Sequence, residues 1–269
     1  MIKELKPRLH AFSVHFLLSV TIFLIFFYLV FAWWYPEPFL SIEGGWSIVA
    51  LIVLVDVILG PSLTFAVFKP GKKGLAFDLS LIAAVQLCAL VYGVTVVYTE
   101  RPQFLVFSVD RFVMVSPNDV EQDQFRFKEL LANNGPGPLP VYARLPEDPV
   151  QKIKLMEEVF SGKPDLEFRA EYYEPMDSHW DAVLEKSKPI AAFRDISDEY
   201  RQKIDAFVSD NCHTADNCAF LPVVGKEKSM LLALQRDSGK VVGAMDIDPW
   251  LSEKALKRAK KPSTVEKHG

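Results

Sequence analysis

The stretch that decides the fold is AFSVHFLLSVTIFLIFFYLVFAWW, residues 11–34. Two further apolar runs follow it, WSIVALIVLVDVILGPSLTFAVF at residues 46–68 and LSLIAAVQLCALVYGVTVVY at residues 79–98. A helix needs about 20 apolar residues to cross a bilayer core, so each run predicts a transmembrane helix. The first run could also be a cleaved signal peptide, but it is too long and ends in Trp33-Trp-Tyr-Pro36 instead of small residues.

The remaining chain predicts one soluble domain, so the fold class is a membrane-anchored α+β protein. Residues 1–98 form the three-helix anchor, residues 99–253 the mixed α+β domain, and residues 254–269 a basic tail that we expect to be disordered or, alternatively, to bind a partner. Branched and aromatic runs predict strands at Phe104–Val109, Arg111–Val115, Pro140–Leu145, Ala219–Val224, Ser229–Gln235 and Lys240–Ile247. Helical periodicity predicts helices at Asn118–Ala132, Pro149–Phe160, Asp177–Glu185 and Ser197–Val208.

The positions of the cations predict the orientation, because Lys and Arg stay on the cytoplasmic side of a membrane. They precede the first run and fill the turn between the second and third, at Lys3, Lys6, Arg8, Lys69, Lys72 and Lys73. The connection between the first two runs, residues 35–45, has none. We therefore expect an inner-membrane protein with a cytoplasmic N-terminus and a periplasmic domain after Tyr98. The turn lysines also suit contact with anionic lipid heads.

Two cysteines in the soluble part, Cys212 and Cys218, predict a disulfide, as an oxidising compartment would allow. Free thiols remain an alternative. A metal site that adds His213 is a further one, although Cys-His-x4-Cys lacks a fourth ligand and a usual zinc spacing.

The second run carries Asp56 near its middle, followed by Gly60 and Pro61. A charged group at that depth is costly and is by default a candidate functional residue. Gln86 and Tyr92 on the third run are its candidate neighbours. Asp56 could join the helices of this protein to one another, dock the transmembrane helix of another protein, or line an ion path.

No motif in the chain predicts catalysis, a cofactor or a metal site. Asp177, His179 and Asp181 alternate along a predicted helix and therefore point to different faces. A formal net charge of −4 and a pI near 5.8 offer no broad basic surface for nucleic acid. We therefore expect a protein that is not an enzyme and does not bind nucleic acid.

Several ordered motifs resemble the bacterial type IV pilin accessory proteins. They are Trp34-Tyr-Pro36, Asp56-Val-Ile-Leu-Gly-Pro61, Leu63-Thr64, Phe68-Lys-Pro-Gly-Lys-Lys73, Tyr92-Gly93, Arg101-Pro102 and Val106-Phe-Ser-Val-Asp-Arg-Phe112. The resemblance is strongest over the spans and the start of the soluble domain. It implies an inner-membrane protein that handles pilin or influences pilus assembly and dynamics, and it supplies no catalytic residues.

The partners that this reading implies are the type IV major pilin, the pilus assembly platform and the lipids of the inner membrane. Asp56, Gly60, Pro61, Gln86 and Tyr92 are the candidate contacts with a pilin helix. A ligand-sensing module that acts through a partner and an enzyme that modifies pilin or envelope are the alternatives. Loss of pilin modification in a deletion strain would favour the enzyme, whereas normal pilin mass with altered pilus number would favour the accessory protein.

Overall fold

The computed structural model describes residues 2–132 and 135–251. These residues form two compact units, a helical unit that runs to Gln103 and a sheet domain that starts at Phe104. The short segments 116–118 and 135–138 belong to the helical unit. The predicted basic tail, residues 254–269, lies outside the described residues, as does the side chain of Lys3.

Three helices of the helical unit are long and apolar enough to cross a membrane, which confirms the predicted anchor. They are the first span, Leu5–Trp34, the second span, Gly45–Val67, and the third span, Leu75–Thr99. Their elements are α1 (Ile2–Leu29) with a π-helical end (Val30–Trp34), α2 (Phe39–Ile42), α3 (Gly45–Ile52), a π-helical segment (Val53–Leu59), α4 (Gly60–Val67) and α5 (Leu75–Thr99).

The π-helical segment in the second span lies immediately before Pro61. Proline has no N–H, so an ordinary α-helix would leave a carbonyl one turn earlier without its donor. Here the helix widens, and the Gly60 N–H donates to the Val55 carbonyl five residues back. Such local adjustments are how membrane helices tolerate proline, and they often mark functional positions.

One end of the helical unit is closed by a buried cluster around Tyr35. Its members are Phe26, Val30, Tyr35, Leu40, Ile52 and Val97. The Tyr35 hydroxyl donates a 3.2 Å hydrogen bond to the Val97 carbonyl, which joins the end of the first span to the third. The Trp34 ring packs edge-on against Tyr98 at 5.1 Å, as interfacial aromatic residues commonly do.

The sheet domain is built on seven strands in the order β4-β3-β1-β2-β5-β6-β7. The strands are β1 (Phe104–Ser108), β2 (Arg111–Val115), β3 (Leu139–Ala143), β4 (Tyr173–Pro175), β5 (Cys218–Val224), β6 (Ser229–Gln235) and β7 (Val241–Met245). Two pairs, β1 with β3 and β2 with β5, are parallel, and the remaining pairs are antiparallel. The domain is therefore mixed α+β, as the sequence predicts.

Four α-helices and several 3₁₀ turns accompany the described strands. The α-helices are α6 (Pro149–Phe160), α7 (Trp180–Leu184), α8 (Ala191–Arg194) and α9 (Asp198–Asn211). The 3₁₀ turns are Pro117–Asp119, Lys128–Ala132, Leu166–Phe168, Ala170–Tyr172, Met176–Ser178 and Ala215–Asn217. Strand β1 is buried along its whole length, so protein covers both faces of the sheet at its centre.

The prediction of a helix at Asn118–Ala132 is wrong. Only its ends are helical, as the 3₁₀ turns Pro117–Asp119 and Lys128–Ala132. Between them the chain is irregular and inserts Phe125 into the core, 5.3 Å from the ring of Phe104 and 5.6 Å from that of Tyr173. Aromatic burial outweighs the local helical preference there, because a regular helix would not direct Phe125 into this space.

The predicted helix Asp177–Glu185 is interrupted at His179, which separates the 3₁₀ turn Met176–Ser178 from α7. Helix α6 has the predicted bounds, and α9 begins after Ser197, whose hydroxyl accepts the Tyr200 N–H. Strand β4 and helix α8 are three and four residues long and were not predicted. Elements this short leave almost no periodic pattern in a sequence.

The predicted Cys212–Cys218 disulfide is confirmed. It joins the end of α9 to the start of β5, with 5.8 Å between the two Cα atoms. Both cysteines are buried in a core cluster with Phe193, Ile204 and Phe220. His213, inside the loop, has φ of +61°, and the Thr214 N–H bonds the Cys212 carbonyl at 2.7 Å.

We expect the double substitution Cys212→Ser, Cys218→Ser to lower the free energy of unfolding of the sheet domain by about 2 kcal/mol, the loop-entropy value for so short a ring. Urea unfolding of the detergent-solubilised protein, followed by near-UV circular dichroism, measures the change. Reductant should reproduce it in the parent and have no effect on the variant. A parent whose unfolding midpoint does not move in reductant would contradict the expected contribution.

Candidate intramembrane site

A cavity of about 260 Å³ lies among the three spans. Its walls are mostly apolar, with Leu18 and Ile22 from the first span, Ile52 from the second and Leu87 from the third. Four polar side chains interrupt this lining and are His15, Ser19, Asp56 and Gln86. An apolar cavity with a few convergent polar groups is the usual form of a binding site.

Two oxygen atoms at this cavity are buried and, among the residues that the structure describes, have no hydrogen-bond partner. They are Asp56 Oδ1 and Gln86 Oε1. A buried polar atom without a partner is destabilising by roughly 1–3 kcal/mol. Both atoms are hydrogen-bond acceptors, so a ligand or partner that brings a donor into the cavity would be stabilised there.

Asp56 and Gln86 are neighbours because the second and third spans approach closely at Gly60. The Gln86 Nε2 amide donates a 3.3 Å hydrogen bond to the backbone carbonyl of Asp56. A Cβ atom at Gly60 would overlap the same amide group. Glycine is thus required for this approach, in the way that small residues allow membrane helices to pack closely.

The first and second spans are joined by a further polar contact that the sequence analysis missed. His15 Nδ1 lies 2.7 Å from Thr64 Oγ1, and Thr64 and Ser19 are both buried. His15 and Ser19 are four residues apart and so lie on one face of α1. That spacing within an apolar run was the available signal.

The structure brings together most of the residues predicted from the sequence. Asp56 and Gln86 line the cavity, and Gly60 and Pro61 are buried beside them. Tyr92 is not among the residues that line the cavity, and its side chain is 73% exposed. A Cβ atom placed on Gly93, the next residue, would lie 3.9 Å from Ile52 of the second span, so Gly93 faces that span while the Tyr92 side chain is exposed.

The third span contributes little buried surface to the helical unit. Over an apolar stretch of 18 residues, 6% of the residues of the third span are buried, against 28% for the second span. Its large exposed side chains include Phe77, Leu81, Val85 and Val91. Such a surface must face lipid or another helix.

The turn between the second and third spans keeps its lysines at the surface. Lys69, Lys72 and Lys73 are all exposed, and Lys72 pairs with Asp78 at 2.5 Å. This placement leaves the side chains of Lys69 and Lys73 accessible to lipid phosphates.

His179, which the sequence places between Asp177 and Asp181, has structural partners in the sheet domain. His179 Nε2 lies 2.9 Å from Glu174 Oε2, its ring stacks on Tyr142 at 4.2 Å, and Arg144 Nε donates to the same carboxylate at 2.9 Å. Asp246 pairs with Lys228 at 2.9 Å. Among the described residues, no group of three or more His, Cys, Asp or Glu side chains could hold a metal ion.

We expect Gly60→Ala to displace the Gln86 amide and break its bond to the Asp56 carbonyl, with a loss of about 1 kcal/mol in stability. Gly93→Ala is the matched control, because a Cβ there would make only ordinary contact with Ile52. Thermal unfolding of the detergent-solubilised protein compares the two variants. In a Gln86→Ala background the effect of Gly60→Ala should shrink, and equal melting temperatures for both alanine variants would count against this packing.

Comparison with known proteins places the chain among fimbrial assembly proteins. The model of the family described as fimbrial assembly protein FimB matches residues 3–44. The serogroup I fimbrial assembly protein of Dichelobacter nodosus is 26% identical over 251 residues, or 88% of this chain and 93% of that relative. The serogroup C1 and C2 fimbrial assembly protein of the same organism is 39% identical over 114 residues, or 42% of this chain and 87% of that relative.

No solved structure matches the chain. The relatives agree with the resemblance drawn from the motifs of the spans, and the family match itself lies on the first span and the connection after it. On the strength of the 39% identity over most of one relative, this chain belongs to the family of fimbrial assembly proteins.

Proposed function

We propose that this protein acts in pilus assembly as a non-catalytic inner-membrane accessory protein that binds type IV pilin. The general role is supported by its relatives, which are named fimbrial assembly proteins. Binding of pilin is the specific step that we infer. The observation that carries it is a pair of acceptor oxygens at the cavity among the spans, Asp56 Oδ1 and Gln86 Oε1, for which the described residues provide no donor.

The chemistry of the cavity suits a transmembrane helix that brings a hydrogen-bond donor. Two acceptors without donors are most stabilised by an N–H or O–H group, and a protonated amine would also neutralise an ionised Asp56. The apolar lining, with Leu87 61% exposed, would pack against the remaining side chains of such a helix. A pilin subunit held in the membrane before assembly would present an apolar helix to this surface.

Binding through this surface would be reversible. Helix association in lipid rests on close packing and on polar contacts that contribute about 0.6 kcal/mol on average in measured cases. One or two such contacts, together with a modest packed surface, would give specificity for a partner and still allow it to dissociate. Reversibility is what an assembly protein requires, since a subunit must leave it to enter a pilus.

The orientation that this function requires is a cytoplasmic N-terminus with the sheet domain in the periplasm. It is supported by the exposed turn lysines Lys69, Lys72 and Lys73, which the positive-inside rule assigns to the cytoplasm. It is also supported by the Cys212–Cys218 disulfide, because disulfides persist in oxidising compartments.

Fusion reporters test this orientation. Alkaline phosphatase joined after Gly269 should be active, because it folds only where disulfides form. Green fluorescent protein joined at the same position should be dark, because it does not become fluorescent when exported by the general secretory route. The same pair inserted in the turn between Gly71 and Lys72 should give the opposite result. A fluorescent fusion at Gly269 with inactive phosphatase there would exclude contact with an exported pilin domain.

Substitution of Asp56 tests the contact itself. A photoreactive amino acid at Leu87, which lines the cavity, should capture pilin in membranes, whereas one at Leu81, on the same span but outside the cavity, should capture less. We expect Asp56→Leu to lower capture at Leu87 severalfold, because it removes the acceptor. Asp56→Asn keeps an acceptor oxygen and should fall between Asp56→Leu and the parent.

Ser62→Ala is the matched control for these variants. Ser62 is exposed on the second span, and its hydroxyl bonds the Ile58 carbonyl of its own helix at 2.6 Å. Its loss should leave capture unchanged. Undiminished capture of pilin by both Asp56 variants would rule out the proposed polar contact.

A further inference from the structure

The sheet domain concentrates its exposed apolar side chains in one place. Among its described residues, the large hydrophobic side chains that are exposed are Val109, Val150, Ile153, Met156 and Phe160. Four of them lie on helix α6, and the fifth lies on the turn between β1 and β2. Phe160 is 86% exposed and Val109 61%. Scattered exposed hydrophobic residues are normal, but a contiguous group of them marks an interaction surface.

Three of these residues, Val109, Met156 and Phe160, line a groove of about 430 Å³. Met156 and Phe160 of α6 form one side, and Val109 with its neighbours in the β1–β2 turn forms the other. Leu155 and Leu166, both buried in the core of the domain, lie at its base. We refer to this feature as the α6 groove.

Helix α6 exposes apolar side chains that an amphipathic helix would usually bury. Val150, Ile153, Met156 and Phe160 follow one another at intervals of three or four residues and so share one face. That face is exposed, while Leu155 is the one residue of α6 that is buried. The helix is nevertheless held in place, because Asp148 caps its start and Glu158 accepts a 2.7 Å bond from the buried Arg169 guanidinium.

The opposite side of the groove contains a strained residue. Val109 has φ of +60°, and the Asp110 N–H bonds the Ser108 carbonyl at 2.7 Å, which makes Val109 the centre of a γ-turn. A β-branched residue at positive φ is a rare outlier, and this kind of γ-turn is strained. Glycine would fit the turn without strain. An exposed valine at this position therefore destabilises the fold, and contact of its side chain with a partner would account for its presence.

The edge of the groove carries more carboxylates than cations. Asp110, Asp165 and Glu167 line it together with Arg111. Arg111 Nε bonds Asp110 at 2.8 Å, which leaves the local charge negative. Such an edge favours lysine or arginine in a partner and repels the anionic surface of a membrane.

We propose that the α6 groove is a docking site for a protein segment that presents apolar side chains next to a lysine or arginine. The identity of this partner as the exported head of the pilin subunit rests on the function proposed above. The apolar side chains occupy the space between Met156, Phe160 and Val109, and the basic group pairs with the carboxylates at the edge.

The test uses the full-length protein in phosphatidylcholine nanodiscs and the pilin head produced without its membrane helix. Binding is measured by biolayer interferometry. The double variant Met156→Ser, Phe160→Ser should weaken binding about tenfold or more, as expected for buried apolar anchors. The matched control, Met156→Leu with Phe160→Leu, keeps apolar side chains and should stay within about twofold of the parent.

Val109→Gly separates a binding role from a folding role. Since glycine accepts positive φ, the variant should have an unchanged or higher melting temperature. It should nevertheless bind the pilin head severalfold more weakly, because the apolar contact is lost. Unchanged binding by both Val109→Gly and the serine pair would overturn the proposal.

Two further variants test the charges at the edge of the groove. Asp110→Asn and Glu167→Gln keep an acceptor for Arg111 and for the Ser108 hydroxyl, which lies 3.2 Å from Glu167. They should lower affinity severalfold at low salt and flatten its dependence on ionic strength. Affinity that is independent of salt in the parent would contradict the basic group assigned to the partner.

The outcomes distinguish this inference from the function on which it rests. If full-length pilin is still captured at Leu87 but its head does not bind the parent, the groove proposal fails and the proposed function stands. If the head binds in a groove-dependent way while no pilin is captured at Leu87, the groove stands and the intramembrane contact fails. Groove-dependent self-association or binding to phosphatidylglycerol vesicles, without binding of the head, would overturn the inference.

Discussion

A carboxyl group in the middle of an apolar span needs hydrogen-bond partners from protein, since lipid provides neither donors nor water. The helical unit is arranged around Asp56 in this sense. The Gln86 amide donates to the Asp56 backbone carbonyl, Gly60 leaves space for that amide, and in the π-helical segment Val53–Leu59 the Gly60 N–H donates to the Val55 carbonyl. The side-chain oxygen Oδ1 is the part that the described structure leaves without a donor.

The sheet domain forms its core without the exposed side chains of the α6 groove, which are Val109, Met156 and Phe160. Strand β1 is buried on both faces of the sheet, and Phe125 fills the space between Phe104 and Tyr173. The hydroxyl of Tyr173 donates to the Glu167 carbonyl, and burial, the main cause, raises the pKa of this tyrosine well above its ordinary value. The side chain therefore stays a donor at any physiological pH, and the exposed face of α6 adds nothing to this core.

Sequence patterns predict the features of this protein that depend on length and composition. The spans follow from apolar run length, most strands from branched and aromatic runs, and the disulfide from two close cysteines in an exported context. Asp56 and Gln86 can be singled out because polar residues are rare in spans. The irregular path through Phe125 cannot be predicted this way, because it depends on packing against Phe104 and Tyr173, which are distant in sequence. The left-handed Val109 cannot be predicted either, because valine does not favour positive φ. At the π-helical segment, Pro61 indicates that the ordinary helical hydrogen bonds are broken but not which form the helix takes instead.

The two candidate surfaces share a physical property, since each retains a feature that is unfavourable for the isolated protein. One is a pair of oxygens in an apolar cavity that find no donor in the described part of the chain, and the other is an apolar helix face opposite a strained turn. Features of this kind persist where a partner relieves them. Both surfaces belong to one chain, so if a single partner bound at both, its second contact would form within an existing complex. Two weak contacts linked in this way can exceed the affinity of either by about 10²–10⁴, and the complex still dissociates once one contact is broken. Such bivalent but reversible binding would let an assembly protein hold a membrane-embedded subunit securely and still release it.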